Sequence, residues 1–297
     1  MRPRRIRWMP RPAIRRHEEH LLAETGWRKL IPRPIRVYSR RSCNNALDWI
    51  EVLAGRRDDL TPPRNLRFVG KGDFRAVGEH FLRLFVEVGG LKPGARVLDI
   101  GSGNGRMAIP LTRYLVGEYW GIEIVAEGVA WCRKRITRRF PNFRFVHADV
   151  YNLEYNRNGR HGAGQYRFPF DDGLFDFIFL TSVFTHMRPA EVTHYLGEIA
   201  RMLAPRGRCF ATFFLLTPES RGLIGSGRST QPFQHEGDGF LTVNRECPER
   251  SVAFSEEWVR DAHARAGLRL VEPIRYGSWC GRTQFTSYQD IVLSEKD

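Results

Sequence analysis

The chain has 297 residues, a net charge of +14 and an apolar share of 42%. That apolar share can supply a hydrophobic core and excludes global disorder. Since no apolar run approaches the roughly 20 residues of a membrane-spanning helix, and none near the start suits a signal peptide, we expect neither. The five cysteines are widely spaced and form no C-x-x-C pair, which argues against a disulfide framework or a zinc knuckle and favours a cytoplasmic location.

The positive charge is concentrated in an Arg- and Pro-rich head. Residues 1–41 contain 13 of the 47 basic residues and only 3 of the 33 acids, so the remainder is mildly basic. Such a head could bind nucleic acid or an anionic membrane surface, act as an organellar transit peptide, or be a solvated extension. Because no recognisable binding fold is present, the solvated extension is favoured. We expect residues 1–60 to form this extension, with a helix over 44–53.

After a break at Thr61-Pro62-Pro63, helical and extended patterns alternate along the chain. Residues 74–89 carry apolar side chains at three- and four-residue spacing, which predicts an amphipathic helix. The strands predicted beyond it are 96–100, 119–123, 143–148, 174–181, 207–216, 268–276 and 285–294. The helices predicted between them are 105–115, 126–140, 189–203 and 255–266.

This alternation predicts an α/β fold, a Rossmann-like, doubly wound sheet with helices on both faces. The sheet should be mostly parallel. Because no helix separates the last two strands, they can pair only as antiparallel neighbours, so the last strand should run opposite to the rest. Residues 61–297 should form one domain with insertions at 151–172 and 217–250. Both insertions adjoin the carboxyl ends of strands, where such sheets bind ligands.

A Gly-rich turn follows the first strand, in the sequence Val97-Leu98-Asp99-Ile100-Gly101-Ser102-Gly103-Asn104-Gly105. Glycines permit a tight turn and a close approach of a ligand to the backbone, and the next helix offers free N–H groups. A dinucleotide-binding turn would have the pattern Gly-x-Gly-x-x-Gly. Here the third glycine comes one residue early and an acid stands two residues before the first, so a nicotinamide cofactor is disfavoured.

This segment resembles the first motif of the class I S-adenosylmethionine (SAM)-dependent methyltransferases. The resemblance covers roughly residues 68–295. Later segments resemble further motifs of the family in the same order: residues 119–123, 145–150, 175–180 and 200–208. Residues 68–74, 182–187 and 279–282 are similar to a bacterial subgroup that is often only generically labelled and includes enzymes associated with the modification of glycans and other small molecules.

The resemblance implies SAM as the cofactor. It assigns Glu123 to the two ribose hydroxyls, which one carboxylate can accept together. It assigns Asp149 and the adjacent Val150 to the adenine ring, whereas Asp176 is expected to be structural. The cofactor-binding residues that it implies are Asp99, Gly101, Ser102, Gly103, Gly105, Glu123, Ile124, Asp149, Val150 and Thr181.

His186, just past the fourth strand, is the candidate catalytic residue. A neutral imidazole there could take the proton of a hydroxyl acceptor, although a capping or packing role would also explain it. Tyr166, His235, Trp279 and Arg282 are predicted to line the acceptor pocket. A tryptophan with a few polar groups suits a sugar or aromatic acceptor. Asp171-Asp172-Gly173 is typical of a turn, and no metal site is predicted.

The sequence therefore predicts a methyltransferase that acts on a hydroxyl of a small molecule or glycan. Methylation of RNA or another nucleic acid is an alternative that the basic head favours. The Asn/Asp-Pro-Pro-Tyr/Phe motif of base-amino methyltransferases is absent, and Thr181-Ser182-Val183-Phe184 stands in its place. A non-catalytic SAM-binding module is an alternative of a different class.

Overall fold

The computed structural model describes residues 33–297 except 56, 69 and 71. The predictions for residues 1–32, and for Val69 of the subgroup motif, lie outside the described residues. The chain divides into two compact units, one of Met1–Arg57 with Pro63–Asn65 and one of Asp58–Pro62 with Leu66–Asp297. In the first unit the structure describes helix α1 (Arg33–Leu53), which begins earlier than the predicted helix over 44–53.

The second unit contains the predicted alternation of strands and helices. Its strands are β1 (Val97–Ile100), β2 (Tyr119–Glu123), β3 (Phe143–His147), β4 (Phe175–Leu180), β5 (Leu203–Phe213), β6 (Leu215–Leu216), β7 (His235–Gly237), β8 (Phe240–Thr242), β9 (Val252–Ser255), β10 (Leu268–Leu270) and β11 (Asp290–Lys296). Its helices are α2 (Phe74–Glu87), α3 (Ala108–Leu111), α4 (Ala126–Cys132), α5 (Pro189–Met202), α6 (Pro218–Gly225) and α7 (Glu256–Arg265).

A seven-stranded sheet in the order β10-β11-β5-β4-β1-β2-β3 forms the centre of this unit. Every neighbouring pair is parallel except those made by β11, which is antiparallel to both β10 and β5. This confirms the predicted mostly parallel sheet with an antiparallel last strand. The carboxyl ends of β1 to β4 consequently meet at one edge of the sheet.

Helices cover both faces of the sheet. On β4, Phe177 and Phe179 pack into the apolar layer that contains α2 and α4. Ile178 and Leu180 alternate with them and pack into the opposite layer, with α5 and α7. Burial on both faces explains why β4 is a continuous apolar run from Phe177 to Leu180 rather than an alternation of apolar and polar residues.

Several elements are shorter than predicted. The predicted helix over 105–115 contains only α3, and it does not begin at Gly105 because Gly105 has a φ of 86°, outside the helical region. The predicted helix over 126–140 consists of α4 and a π-helical turn, Arg133–Thr137. The predicted strand over 268–276 stops at Leu270, shortly before Pro273, which has no N–H to donate to a neighbouring strand.

The second insertion, residues 217–250, has a structure that the sequence did not predict. It contributes α6, β7 and β8, and the short strands form a second sheet in the order β6-β9-β8-β7. An apolar cluster including Phe214, Phe233 and Trp279 packs beside this sheet. Strands of two to four residues are too short for a period-two pattern to be recognised. Within the described residues, no helix combines the length and apolarity needed to cross a membrane.

Candidate active site

The Gly-rich turn after β1 (residues 101–105) requires its glycines. Gly101, Gly103 and Gly105 have φ values of 82°, 57° and 86°, in the left-handed region that residues with a side chain rarely adopt. A Cβ atom on Gly101 would lie 2.5 Å from Cγ2 of Val183, and one on Gly105 would lie 2.6 Å from Cδ1 of Ile136. The turn is therefore a tight, largely buried cradle of backbone at the carboxyl edge of the sheet.

Glu123, at the end of β2, holds this turn directly. Its Oε2 accepts a hydrogen bond of 2.7 Å from the Gly103 N–H, and its Oε1 accepts one of 2.8 Å from the Val125 N–H. The side chain is almost fully buried, and this burial raises the pKa of the carboxyl. Each oxygen still has a lone pair, so the carboxylate can accept ligand hydroxyls in addition to the backbone bonds.

Asp99 lies in β1, two residues before the turn. Its carboxyl is fully enclosed and accepts a hydrogen bond of 2.6 Å from the Tyr119 hydroxyl, whereas Oδ1 has no partner. Burial raises the pKa of Asp99 to about 8. The carboxyl therefore has no surface open to a ligand in this structure.

Two further polar side chains of the turn are buried without complete partners. Ser102 Oγ and Asn104 Oδ1 make no hydrogen bond, although Ser102 and Asn104 are 4% and 1% exposed. The Asn104 amide donates a bond of 2.6 Å to the Leu66 carbonyl. Buried polar atoms normally have partners, so unpaired ones beside a backbone cradle fit the polar adenosyl cofactor that the resemblance implies.

The remaining cofactor candidates lie at the ends of neighbouring strands. Asp149 follows β3 and pairs with exposed Arg160, whose hydrogen bond holds the pKa of Asp149 below its usual value. Val150 is buried, and Ile124 and Thr181 follow β2 and β4. Because β3, β2, β1 and β4 are adjacent in the sheet, all the predicted cofactor residues lie along a single edge.

His186 lies in a short helical turn after β4, Phe184–His186. Its Nδ1 is 2.9 Å from the Glu249 carbonyl oxygen. A carbonyl can only accept, so we assign the proton to Nδ1, which leaves a lone pair on Nε2. Burial lowers the pKa of His186 and thereby favours the neutral ring. The ring also lies edge-on to that of Tyr155, with centroids 5.7 Å apart.

The environment of His186 joins the two insertions. Tyr155 belongs to the first insertion, residues 151–172, and Glu249 to the second. Sequence analysis singled out neither residue, because each acts through a contact between segments that are far apart in the chain. Their positions in the two insertions were the only available signal.

Ser182 is a third residue that sequence analysis did not select for the site. It follows β4 with a φ of 64°, unusual for a residue other than glycine. Its N–H donates to Thr212 Oγ1 at 2.7 Å, and its Oγ accepts from Gln289 Nε2 at 2.8 Å. Thr212 in turn donates to Gln289 Oε1 at 2.7 Å. This closed network holds the uncommon backbone conformation at the carboxyl edge.

Two of the predicted acceptor-pocket residues are enclosed. Trp279 is fully buried, and its indole N–H donates to Asp290 Oδ2 at 2.7 Å. Arg282 is 7% exposed and pairs with Glu219 at 2.8 Å and with Asp290 Oδ1 at 3.2 Å. In this structure neither side chain is open to an acceptor, because both are used to join segments of the protein.

The other two predicted pocket residues are half-buried. Tyr166 packs against Phe168, with ring centroids 5.3 Å apart, and its carbonyl lies 2.9 Å from Nε2 of His194 on α5. His235 lies in β7, an outer strand of the small sheet. None of the contacts described for either residue reaches His186. Among the residues that the structure describes, no group of three or more side chains could hold a metal ion.

Known proteins resemble this chain in sequence and fold. The sequence profile of a family described as "Methyltransferase domain" matches residues 97–207. The 27-O-demethylrifamycin SV methyltransferase of Amycolatopsis mediterranei is 31% identical over 195 residues, which are 60% of this chain and 65% of that protein. The sterol 24-C-methyltransferase erg6 of Schizosaccharomyces pombe is 25% identical over 171 residues, 57% of this chain and 40% of that protein.

The chain thus spans less than two thirds of the length of either relative. Among solved structures, a protein of Pyrococcus horikoshii OT3 matches with a TM-score of 0.54 at 15% identity. The match covers 78% of this chain and 95% of that one. A likeness at this identity shows the fold alone.

Proposed function

Because this chain belongs to the class I SAM-dependent methyltransferases, we propose that it transfers a methyl group from SAM to a small-molecule acceptor. The observation that carries the proposal is the bond between Glu123 and the Gly103 N–H inside the matched domain. It joins a carboxylate suited to ribose hydroxyls to a glycine cradle suited to close backbone approach. The two curated relatives are named for a rifamycin and a sterol as acceptors.

On the cofactor side, the sulfonium of SAM supplies an electrophilic methyl group when the cofactor is bound. We assign Glu123 to the ribose hydroxyls, and Asp149 with the Val150 backbone to the adenine ring. The residues that complete the cofactor site are Gly101, Ser102, Gly103, Gly105, Ile124 and Thr181. Because Asp99 is enclosed and bonded to the Tyr119 hydroxyl, we assign it a structural role rather than a contact with the cofactor.

On the acceptor side, we assign His186 as the general base for a hydroxyl. Nε2 keeps its lone pair while Nδ1 is held by the Glu249 carbonyl. With SAM bound, His186 Nε2 would take the hydroxyl proton as the methyl group passes from sulfur to the acceptor oxygen, which leaves S-adenosylhomocysteine. Alignment of the two reacting atoms supplies much of the rate, because the methyl group needs little further activation.

The two insertions that meet at His186 supply the acceptor pocket in this proposal. Tyr155 is 37% exposed at its rim, and Tyr166 and His235 offer half-buried aromatic and polar surface. Aromatic rings with a few polar groups suit a sugar or an aromatic alcohol. A glycan or similar hydroxyl compound is therefore the acceptor class that we propose.

A cytoplasmic location accords with the five cysteines, which are all free and all lie in the described residues.

Calorimetry with S-adenosylhomocysteine tests the cofactor site. Glu123→Gln should weaken binding by at least about tenfold, because hydrogen bonds to a charged group are lost. Glu118→Ala is the matched control, since Glu118 precedes the same strand and pairs with Arg144. Equal affinities in wild type and Glu123→Gln would contradict the assignment of Glu123.

A panel of sugars and aromatic alcohols with radiolabelled SAM tests the transfer. With an accepted hydroxyl compound, His186→Ala should lower kcat by about 10² or more and leave affinity for S-adenosylhomocysteine unchanged. Because burial lowers the pKa of His186, the wild-type rate should fall only at acidic pH, where the ring becomes protonated. Full turnover by His186→Ala would remove the general base. Cofactor binding without transfer to any acceptor in the panel would favour a non-catalytic module.

A further inference from the structure

Helix α1 has a polar face that its own unit holds in place. Asp48 is 6% exposed, and its Oδ1 lies 3.1 Å from a guanidinium nitrogen of Arg57. The backbone N–H of Arg64 donates to Asp48 Oδ2 at 3.0 Å, and the Arg64 side chain pairs with Glu51. These contacts fix the rotation of the helix about its axis, so its opposite face is defined as well.

That opposite face is apolar and exposed. Trp49, Ile50 and Leu53 are 68%, 60% and 83% exposed, and Ala46 is also exposed. Their spacing of three and four residues places them on one side of the helix. Single exposed apolar residues are ordinary, but a continuous exposed stripe marks a surface that binds something. We call Ala46, Trp49, Ile50 and Leu53 the apolar stripe.

The sequence around the stripe is strongly basic. The first part of α1 contains Arg33, Arg36, Arg40 and Arg41, and no acid precedes Asp48 in the helix. Residues 1–41 together hold 13 basic residues and 3 acids. An apolar stripe with a tryptophan, on a helix preceded and begun by arginines, has the composition of a helix that lies in a membrane interface.

We propose that α1 docks this protein on an anionic membrane surface. Trp49, Ile50 and Leu53 enter the boundary between headgroups and acyl chains, and the arginines are attracted to acidic lipids. The stripe favours a membrane over a nucleic acid, because phosphate backbones attract arginines but offer no apolar layer for Ile50 and Leu53. A second copy is disfavoured because two strongly basic heads would be brought together. The proposal is independent of the methyl-transfer reaction.

Vesicle flotation of the full chain tests this docking. The probes are vesicles of phosphatidylcholine alone and of phosphatidylcholine with phosphatidylserine, each at low and high salt. We expect binding to the phosphatidylserine vesicles that weakens as salt rises. The double variant Ile50→Ser/Leu53→Ser should bind at least about tenfold more weakly, because two apolar side chains no longer enter the interface.

Val52→Ser is the matched control, since Val52 is 48% exposed on the same helix but lies outside the stripe. It should bind the vesicles nearly as well as wild type. No preference for phosphatidylserine in the wild type, or equal binding by the double variant and the control, would overturn the proposal. The proposal would also be overturned if the double variant weakened only RNA binding in a gel-shift assay, or only self-association in a sedimentation experiment. Calorimetry with S-adenosylhomocysteine reports separately on the cofactor site of each variant.

Discussion

At the scale of single residues, Asp99 and Glu123 show how two acids in neighbouring strands acquire different properties. Glu123 accepts two backbone N–H groups, which offset part of the cost of burying its charge. Asp99 accepts only the Tyr119 hydroxyl, and its second oxygen has no partner. Burial, which the single bond from Tyr119 offsets only in part, raises the pKa of Asp99 to about 8, so Asp99 is mostly protonated at neutral pH.

This predicts a pH dependence of stability that Asp99→Asn should reduce. The pKa of Asp99 is higher in the folded protein than in the unfolded chain. Between about pH 4 and pH 8 the folded protein therefore keeps a proton that the unfolded chain has released. The contribution of Asp99 to the free energy of unfolding is therefore lost as the pH rises through that window, by up to about 1.4 kcal/mol per pH unit. Urea unfolding at pH 5 and pH 8 should show a smaller loss in Asp99→Asn. Parallel losses in both proteins would contradict the pKa.

At the scale of elements, the Gly-rich turn combines an uncommon backbone conformation with close packing. Gly105→Ala should lower the free energy of unfolding by more than the ~1 kcal/mol that an alanine loses in the left-handed backbone conformation, because the added Cβ would also meet Ile136. Gly173→Ala is the matched control, since Gly173 has a similar φ of 66° and open space around it. Only Gly105→Ala should also weaken binding of S-adenosylhomocysteine in calorimetry. Equal unfolding free energies for the two variants would contradict the packing argument.

The start of β11 is joined to the neighbouring segments by one buried carboxylate. Asp290 Oδ2 accepts bonds of 2.7 Å from the Leu215 N–H and the Trp279 indole, and Oδ1 accepts one of 2.7 Å from the Gly277 N–H. Arg282 lies beside the same carboxylate. Burial nevertheless raises the pKa of Asp290 to about 6. These bonds attach residues 277–282 to β11, which contains Asp290, and to β6, which contains Leu215.

Trp279→Phe should therefore lower stability. Loss of a hydrogen bond to a buried charged group costs about 1.5–3 kcal/mol in the free energy of unfolding, which urea titration can measure. Trp258→Phe is a suitable control, because Trp258 is half-buried and its ring stacks on Phe254. Affinity for S-adenosylhomocysteine should be unchanged in both. An unchanged unfolding free energy in Trp279→Phe would contradict the role assigned to the indole.

At the scale of the whole molecule, every residue proposed for cofactor binding lies in the second of the two compact units. Deleting residues 1–32 should therefore change affinity for S-adenosylhomocysteine by no more than about twofold, because none of the deleted residues belongs to that unit. The same deletion should weaken binding to phosphatidylserine vesicles, because it removes 9 of the 47 basic residues. Loss of cofactor affinity in a folded truncated chain would contradict this separation.

The sequence determined the features that depend on neighbours along the chain. Helical and strand periods, the glycines after β1 and the acid at the end of β2 are local patterns. They were sufficient to predict the parallel sheet, the antiparallel last strand and the SAM-dependent family. The predicted bounds of α3 and β10 were less accurate. The apolar pattern continued through Gly105 and up to Pro273, where the backbone conformation and the missing N–H prevent a helix and a strand, respectively.

The tertiary structure alone decided which distant groups meet. It placed the Glu249 carbonyl and the Tyr155 ring beside His186, enclosed Trp279 and Arg282 around Asp290, and buried Asp99 against the Tyr119 hydroxyl. Each outcome depends on desolvation and on partners from separate segments. The period of a helix or strand contains no information about such contacts, because it reflects which face is buried and not what covers it.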